Sequence, residues 1–132
     1  MIRYLLDTNV LIDILRNKRK DIIQKVMEIG IDHCVVSDIS VYELYCGVAA
    51  SAHPQKNRET LERVFEKLAV IPASDAYWEA AEEKQRLAKE GIPIEDMDLL
   101  IGCTALVYGL TLITGNTRHM ERIQGLKMES WV

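Results

Sequence analysis

The chain has 132 residues, 48% of them hydrophobic and 27% charged, which suits one domain over 1–132 burying about two thirds of its unfolded surface in a single core. Its formal net charge of −4 excludes a protein that grips nucleic acid by bulk positive charge, but not a nuclease whose acidic site is neutralised by metal ions. No apolar stretch approaches the ~18 residues that span a bilayer, so no membrane association is expected, and Met1-Ile2-Arg3 leads into a strand rather than a signal peptide.

Residues 2–6 are the first short apolar run, of the kind that makes a buried strand. Asp7 ends it, and after Thr8-Asn9 the spacing of Val10, Leu11, Ile14 and Leu15 predicts a helix beginning near Val10. The basic patch Arg16-Asn17-Lys18-Arg19-Lys20 follows, read either as a solvated loop or as a contact to a substrate backbone. Ile22, Ile23, Val26 and Ile29 predict a helix over 21–29, and Cys34-Val35-Val36 a second strand. Val41, Leu44, Tyr45 and Val48 predict a helix over 40–50, and 56–67 a charge-rich amphipathic one. Leu68-Ala69-Val70-Ile71, closed by Pro72, is the third strand. The helix over 75–90 is expected to start at Ser74 and stop at Gly91, and that over 97–108 to stop at Gly109. Leu110-Thr111-Leu112-Ile113 is the fourth strand, and Leu126-Lys127-Met128-Glu129 alternates like an edge strand. Strands alternating with helices predict right-handed crossovers and an α/β fold in three layers, α/β/α, with a parallel sheet of four to five strands.

Cys34, Cys46 and Cys103 have no CxxC spacing and lie in apolar patterns. They predict packed, reduced thiols in a cytoplasmic protein rather than a disulfide or zinc framework.

Three carboxylates fall at element boundaries. Asp7 ends the first strand, Glu43 lies in the first turn of the helix opened by Ser40-Val41-Tyr42, and Asp98 in the first turn of the helix opened by Asp96-Met97. In a parallel sheet such boundaries meet in one crevice beyond the carboxyl ends of the strands. At ~4 Å and an effective dielectric of about 20, each close pair costs roughly 4 kcal/mol before screening. A hard cation relieves that repulsion, and oxygen-only ligands suit Mg²⁺ or Mn²⁺, so the site is expected to carry metal-dependent phosphate chemistry.

Each residue has a competing structural explanation. Asp7 could cap the next helix, although Thr8 and Asn9 already offer capping side chains. Ser40-Val41-Tyr42-Glu43 reads as a capping box, a role compatible with metal binding because a carboxylate has two oxygens. Asp98 could simply favour the helix dipole, but Glu95 and Asp96 lie nearer the cap, and Asp96 is the alternative carboxylate. The small residues that follow Asp98, Gly102-Cys103-Thr104-Ala105, let its helix approach the sheet closely. Asn116, after Thr114-Gly115, is either a turn-former or a neutral oxygen donor that holds a water in the same crevice. His33, His53 and His119 show no ligand spacing and are assigned no chemistry.

Taken in order, residues 5–12, 39–47, 98–101 and 112–119 resemble the motifs of PIN-domain ribonucleases, specifically the VapC toxins of bacterial and archaeal toxin–antitoxin pairs. The tail Arg122-Ile123-Gln124-Gly125-Leu126 and its continuation to Trp131 is similar as well, so the resemblance runs from the first strand to the last. It implies an endoribonuclease that uses a water activated by Mg²⁺ or Mn²⁺. Asp7 and Asp98 are implied as the main metal ligands, Glu43 as completing the site or orienting the water, and Asn116 as assisting through hydrogen bonds. An RNA substrate, a VapB-like antitoxin partner and a homodimer are implied too. The sequence departs from the family pattern at Asn116, where many relatives carry a fourth acid, so one tight ion and one recruited with substrate are expected. It departs again at Gly102-Cys103, usually two alanines. Two other readings stay open. A phosphoacceptor or phosphohydrolase wants a second acid where Thr8 and Asn9 stand, whereas a module that binds RNA or a partner without cutting it accommodates the missing fourth acid.

Overall fold

Leu5 and Leu6, adjacent in the first strand, bury into opposite faces of one sheet, and this alternation divides the protein into layers. The structure is a computed structural model that describes residues 1–131. Its strands are β1 (Tyr4–Leu6), β2 (Cys34–Ser37), β3 (Ala69–Ile71), β4 (Thr111–Ile113) and β5 (Met128–Glu129). They form one five-stranded sheet in the order β3-β2-β1-β4-β5, with every pairing parallel. The α/β/α architecture and the edge position of the last strand agree with the sequence pattern.

The helices are α1 (Thr8–Leu15), α2 (Lys20–Ile29), α3 (Asp38–Ala49), α4 (Pro54–Lys67), α5 (Tyr77–Glu90), α6 (Asp96–Tyr108) and the short α7 (Thr117–Met120). On one face Tyr4, Leu6, Cys34, Val36 and Ile113 pack against Val10 and Leu11 of α1, Ile22 of α2, Leu44 of α3 and Leu61 of α4. On the other, Leu5, Val35 and Leu112 meet Ala80 and Leu87 of α5 and Ile101, Cys103 and Ala105 of α6. Strands buried on both faces read as continuous apolar runs for this reason. Gly102 belongs to the second layer: a Cβ there would lie 2.3 Å from Ile123 Cδ1, so α6 uses the bare glycine to admit that side chain.

Several boundaries differ from the sequence expectation. The first strand begins at Tyr4 rather than residue 2, and its helix begins at Thr8 rather than near Val10. α3 starts at Asp38, with Ser37 as N-cap accepting from the Ile39 amide, so the expected Ser40–Glu43 capping box does not form. Glu43 consequently lies in the second turn. Ser74 does not start α5; it sits in a 3₁₀ turn over Ala73–Ala76, and the N-cap is Ala76 with no side-chain bond. Gly91 and Gly109 do end α5 and α6, both in the left-handed region that glycine adopts without strain (φ 73° and 68°). Cys34 and Cys103 are buried free thiols, pushed by desolvation up to about 11 and about 12 respectively. Cys46 is free but exposed, contrary to the expected packing, because it lies on the outer face of α3.

The strand order has one reversal. From β1 the chain steps through β2 to β3 on one side and then returns to β4 and β5 on the other. The switch point lies between β1 and β4, where an open α/β sheet leaves its crevice. Asp7 and Thr114 directly follow these two strands.

Candidate active site

The β1–β4 ladder runs one bond past the strands, with the Asp7 amide donating to the Ile113 carbonyl at 2.9 Å. This fixes the backbone of Asp7 at the switch point. Its side chain is only 4% exposed. Oδ1 accepts from the Thr8 amide and Oδ2 from the Thr114 hydroxyl, both at 2.8 Å. Asp7 is itself the N-cap of α1, so it is not surplus to capping as the Thr8-Asn9 pair suggested. The Thr8 hydroxyl is directed elsewhere, donating to Glu43 Oε1 at 2.7 Å and meeting Ser40 Oγ at 2.7 Å. A hydroxyl has one hydrogen, so with Glu43 receiving it, Ser40 is the donor to Thr8. Neighbouring side chains thus tie α1 to α3.

Burial raises the Asp7 carboxyl above its ordinary value, partly offset by the hydrogen bonds from Thr114 and Thr8. The Asp98 carboxyl is raised too, first by desolvation and then by the negative charges of Asp7, Glu43 and Glu95, while the charge of His119 works in the opposite direction. The negative charges of Asp7, directly after β1, and of Glu43 in α3 thus act on Asp98 in α6. Asp98 occupies the first turn of α6, held close to the sheet by buried Gly102, Cys103, Thr104 and Ala105, and no hydrogen bond reaches its side chain among the described residues. Asp96 is turned away, pairing with Lys84 at 2.8 Å on the surface.

Asn116 lies beside the crevice, since its amide donates to Thr114 Oγ1 at 2.9 Å and that hydroxyl donates onward to Asp7. Its side-chain oxygen already engages a neighbour. Asn116 Oδ1 is 2.6 Å from His119 Nδ1, so His119, to which no chemistry was assigned, adjoins the site. Thr8, Ser40 and Thr114 were also missed. Thr114 had a legible signal, a polar residue directly after the strand that flanks the switch point; the Asn116–His119 contact had only its i, i+3 spacing.

Among the described residues no group of three or more His, Cys, Asp or Glu side chains is arranged to hold a metal ion. Two of the three carboxylates are instead turned towards hydroxyl and amide donors. The donor chemistry still fits a hard cation, because each carboxylate oxygen keeps a second lone pair and the cluster's mutual repulsion is otherwise unrelieved. Arg16 lines a cleft of about 260 Å³ that also takes in Glu43, with Ile12, Leu15, Leu44, Val48 and Leu61 as apolar walls.

A profile of the PIN domain matches residues 4–126. Ribonuclease VapC2 of Haemophilus influenzae is 32% identical over 135 residues, covering all of both chains. The tRNA(fMet)-specific endonuclease VapC of Salmonella typhimurium is 30% identical over 132 residues, 99% of each. Among solved structures, a chain of DNA-bound VapBC from Salmonella typhimurium superposes with a TM-score of 0.92 at 29% identity. A chain of VapBC2 from Rickettsia felis, bound to a DNA fragment from their promoter, gives 0.89 at 27% identity; both cover all of each chain. This chain belongs to the PIN-domain family, on its VapC branch.

Proposed function

We propose that this protein is a divalent-metal-dependent endoribonuclease and the toxin of a VapBC-type pair, acting in the cytoplasm as a single PIN domain. The observation that carries this reading is the set of carboxylates at the switch point, Asp7 directly after β1 and Asp98 in the first turn of α6, with Asp98 raised first by burial and then by the negative charges of Asp7 and Glu43. Asp7, Asp98 and Glu43 are the residues that would hold Mg²⁺ or Mn²⁺. A bound divalent ion supplies Lewis-acid stabilisation of charge developing on a scissile phosphate and a source of hydroxide near neutral pH.

The chain's own groups have separable tasks. Thr8 and Thr114 hold Asp7 and Glu43 in fixed orientations, so the site is pre-organised. Asn116 supplies a hydrogen bond to the reacting phosphate. Arg16 and Lys18, exposed after α1, and Lys20, exposed at the start of α2, provide positive charge for the RNA backbone. The apolar cleft between α1, α3 and α4 suits a helical segment of a VapB-like antitoxin. An arginine from that segment could pair with Glu43 or Asp7 and displace the metal. We also read the chain as homodimeric, with exposed Tyr77 and Trp78 an apolar surface in need of cover.

The test is cleavage of a structured RNA by the purified chain, freed of any partner. Activity is expected with Mg²⁺ or Mn²⁺ and none in excess EDTA. Cleavage unchanged by the chelator would refute the mechanism, and RNA binding without cleavage would favour a non-catalytic binding module.

A further inference from the structure

Asn116 occupies the N-cap of α7, a position that asparagine usually satisfies with its side-chain oxygen, yet it makes no such bond. Its Oδ1 is held instead by His119 Nδ1 at 2.6 Å. The backbone of the same residue is tied to Asp7 through Thr114. A residue that abandons its expected local role and is pinned at both ends commonly has a functional one.

Accepting at Oδ1 has a chemical consequence. One lone pair of Oδ1 is then taken, and the group left wholly free is the NH₂, for which no protein acceptor is found among the described residues. A carboxylate at this position would be acceptor-only and would attract a cation. The amide NH₂ is donor-only and suits an anionic oxygen. The half-buried site and the adjoining acids leave a phosphate oxygen of the substrate as the fitting acceptor.

We propose that His119 is a positioning residue: by donating from Nδ1 to Asn116 Oδ1, it turns the Asn116 amide so that its NH₂ faces the substrate phosphate. The inference rests on the ribonuclease reading of the site. Asn116 is then a phosphate-binding donor rather than a neutral substitute for a fourth metal ligand. The contact requires the Nδ1–H tautomer of His119, whose Nε2 remains free.

Two measurements test this independently. Nitrogen NMR of the intact chain reads the His119 ring directly and is expected to show a proton on Nδ1; a ring protonated only at Nε2 overturns the contact, whether or not RNA is cut. Cleavage of a fluorophore-labelled RNA hairpin in Mg²⁺ is then compared for wild type, His119→Ala, His119→Gln, Asn116→Ala and the double variant His119→Ala/Asn116→Ala. The two single alanine variants are expected to lose roughly tenfold or more in kcat with unchanged melting temperature, as for loss of one donor to developing charge. The double variant should lose no more than Asn116→Ala, because the two act as a unit. His119→Gln, which keeps an N–H for Asn116, should recover much of the loss. Additive losses, or a His119→Ala rate within twofold of wild type, would overturn the proposal. A wild-type chain that binds the hairpin without cutting it fails the ribonuclease reading alone. In that case a shift of the Asn116 side-chain NH₂ resonance on binding supports the proposal, and an unmoved resonance overturns it.

Discussion

Asp98 is the carboxylate with the least to hold it. Asp7 accepts from Thr8 and Thr114, and Glu43 from Thr8, whereas no hydrogen bond offsets the burial and neighbouring negative charge at Asp98. A carboxyl whose folded-state value is raised binds its proton more tightly in the folded chain. The stability it contributes is therefore complete below the unfolded value of about 3.9 and lost as pH rises through the higher folded value. At neutral pH Asp98 opposes folding of the metal-free protein. Asp98→Asn is expected to raise the apo melting temperature and, by removing a ligand, to cut RNA cleavage by about a hundredfold or more. Calorimetry without metal, beside a cleavage assay with it, checks both; an apo protein destabilised by the change would refute the electrostatic account. Asp7→Asn should abolish cleavage equally but without the stability gain, since a side-chain amide cannot accept from both Thr8 and Thr114 through two oxygens. Asp96→Asn is expected to leave the rate unchanged, because its exposed pair with Lys84 contributes about 1 kcal/mol at most. If Asp96→Asn abolishes cleavage, the wrong carboxylate of α6 has been chosen.

At the scale of elements, the α3 terminus makes the sharpest distinction. Ser37, not Ser40, caps that helix, so Ser37→Ala should cost about 1 kcal/mol of unfolding free energy by urea titration. Glu43 has no capping bond to lose. Glu43→Gln keeps an oxygen for the Thr8 hydroxyl and should leave stability near wild type while reducing cleavage. Glu43→Ala removes the acceptor of the Thr8 hydroxyl, which can turn only to Ser40 Oγ, and should cost about 1 kcal/mol. Equal stability of the two Glu43 variants would mean that the Thr8 bond contributes nothing. Strands and helices were legible because apolar runs and 3.6-residue spacing follow directly from burial on two faces and on one. The α3 start was misread because Ser37 closes an apolar strand, and a serine there looks like part of it. Ser40 three residues before Glu43 mimics a capping box, yet both side chains turn outward from α3 to reach Thr8 across 32 and 35 residues of chain. Local pattern cannot reveal such long-range partners. For the same reason Asp7 and Asp98 were legible as acids at boundaries, but that Thr8 and Thr114 grip the two oxygens of Asp7 became visible only once β1 and β4 lay side by side.

The whole molecule separates two surfaces that its function needs to keep apart. The carboxylate crevice lies at the β1–β4 switch point, while the apolar cleft between α1, α3 and α4 extends from Glu43 to Leu61 and Asn57 on one face of the sheet. Glu43 and Arg16 belong to the boundary between them, so a segment seated in the cleft can reach the acids without occupying the rest of the site. On the proposed function, a partner seated there would silence the enzyme through binding energy gathered mostly outside the reacting groups. Leu15 lines the cleft and is 36% exposed, so Leu15→Glu introduces a charge where an apolar helix would lie. Expression of the wild-type chain alone is expected to arrest growth, and co-expression of its VapB-like partner to relieve the arrest. Leu15→Glu should cleave RNA in vitro at about the wild-type rate yet escape relief, because burying an unpaired carboxylate in an apolar groove costs several kcal/mol of binding. Asp98→Asn should show the reverse, harmless alone and still bound by the partner. Relief of Leu15→Glu as complete as that of wild type would move the partner's seat away from this cleft. Healthy growth at high levels of folded, metal-competent wild-type chain, with no partner present, would count against the toxin role itself.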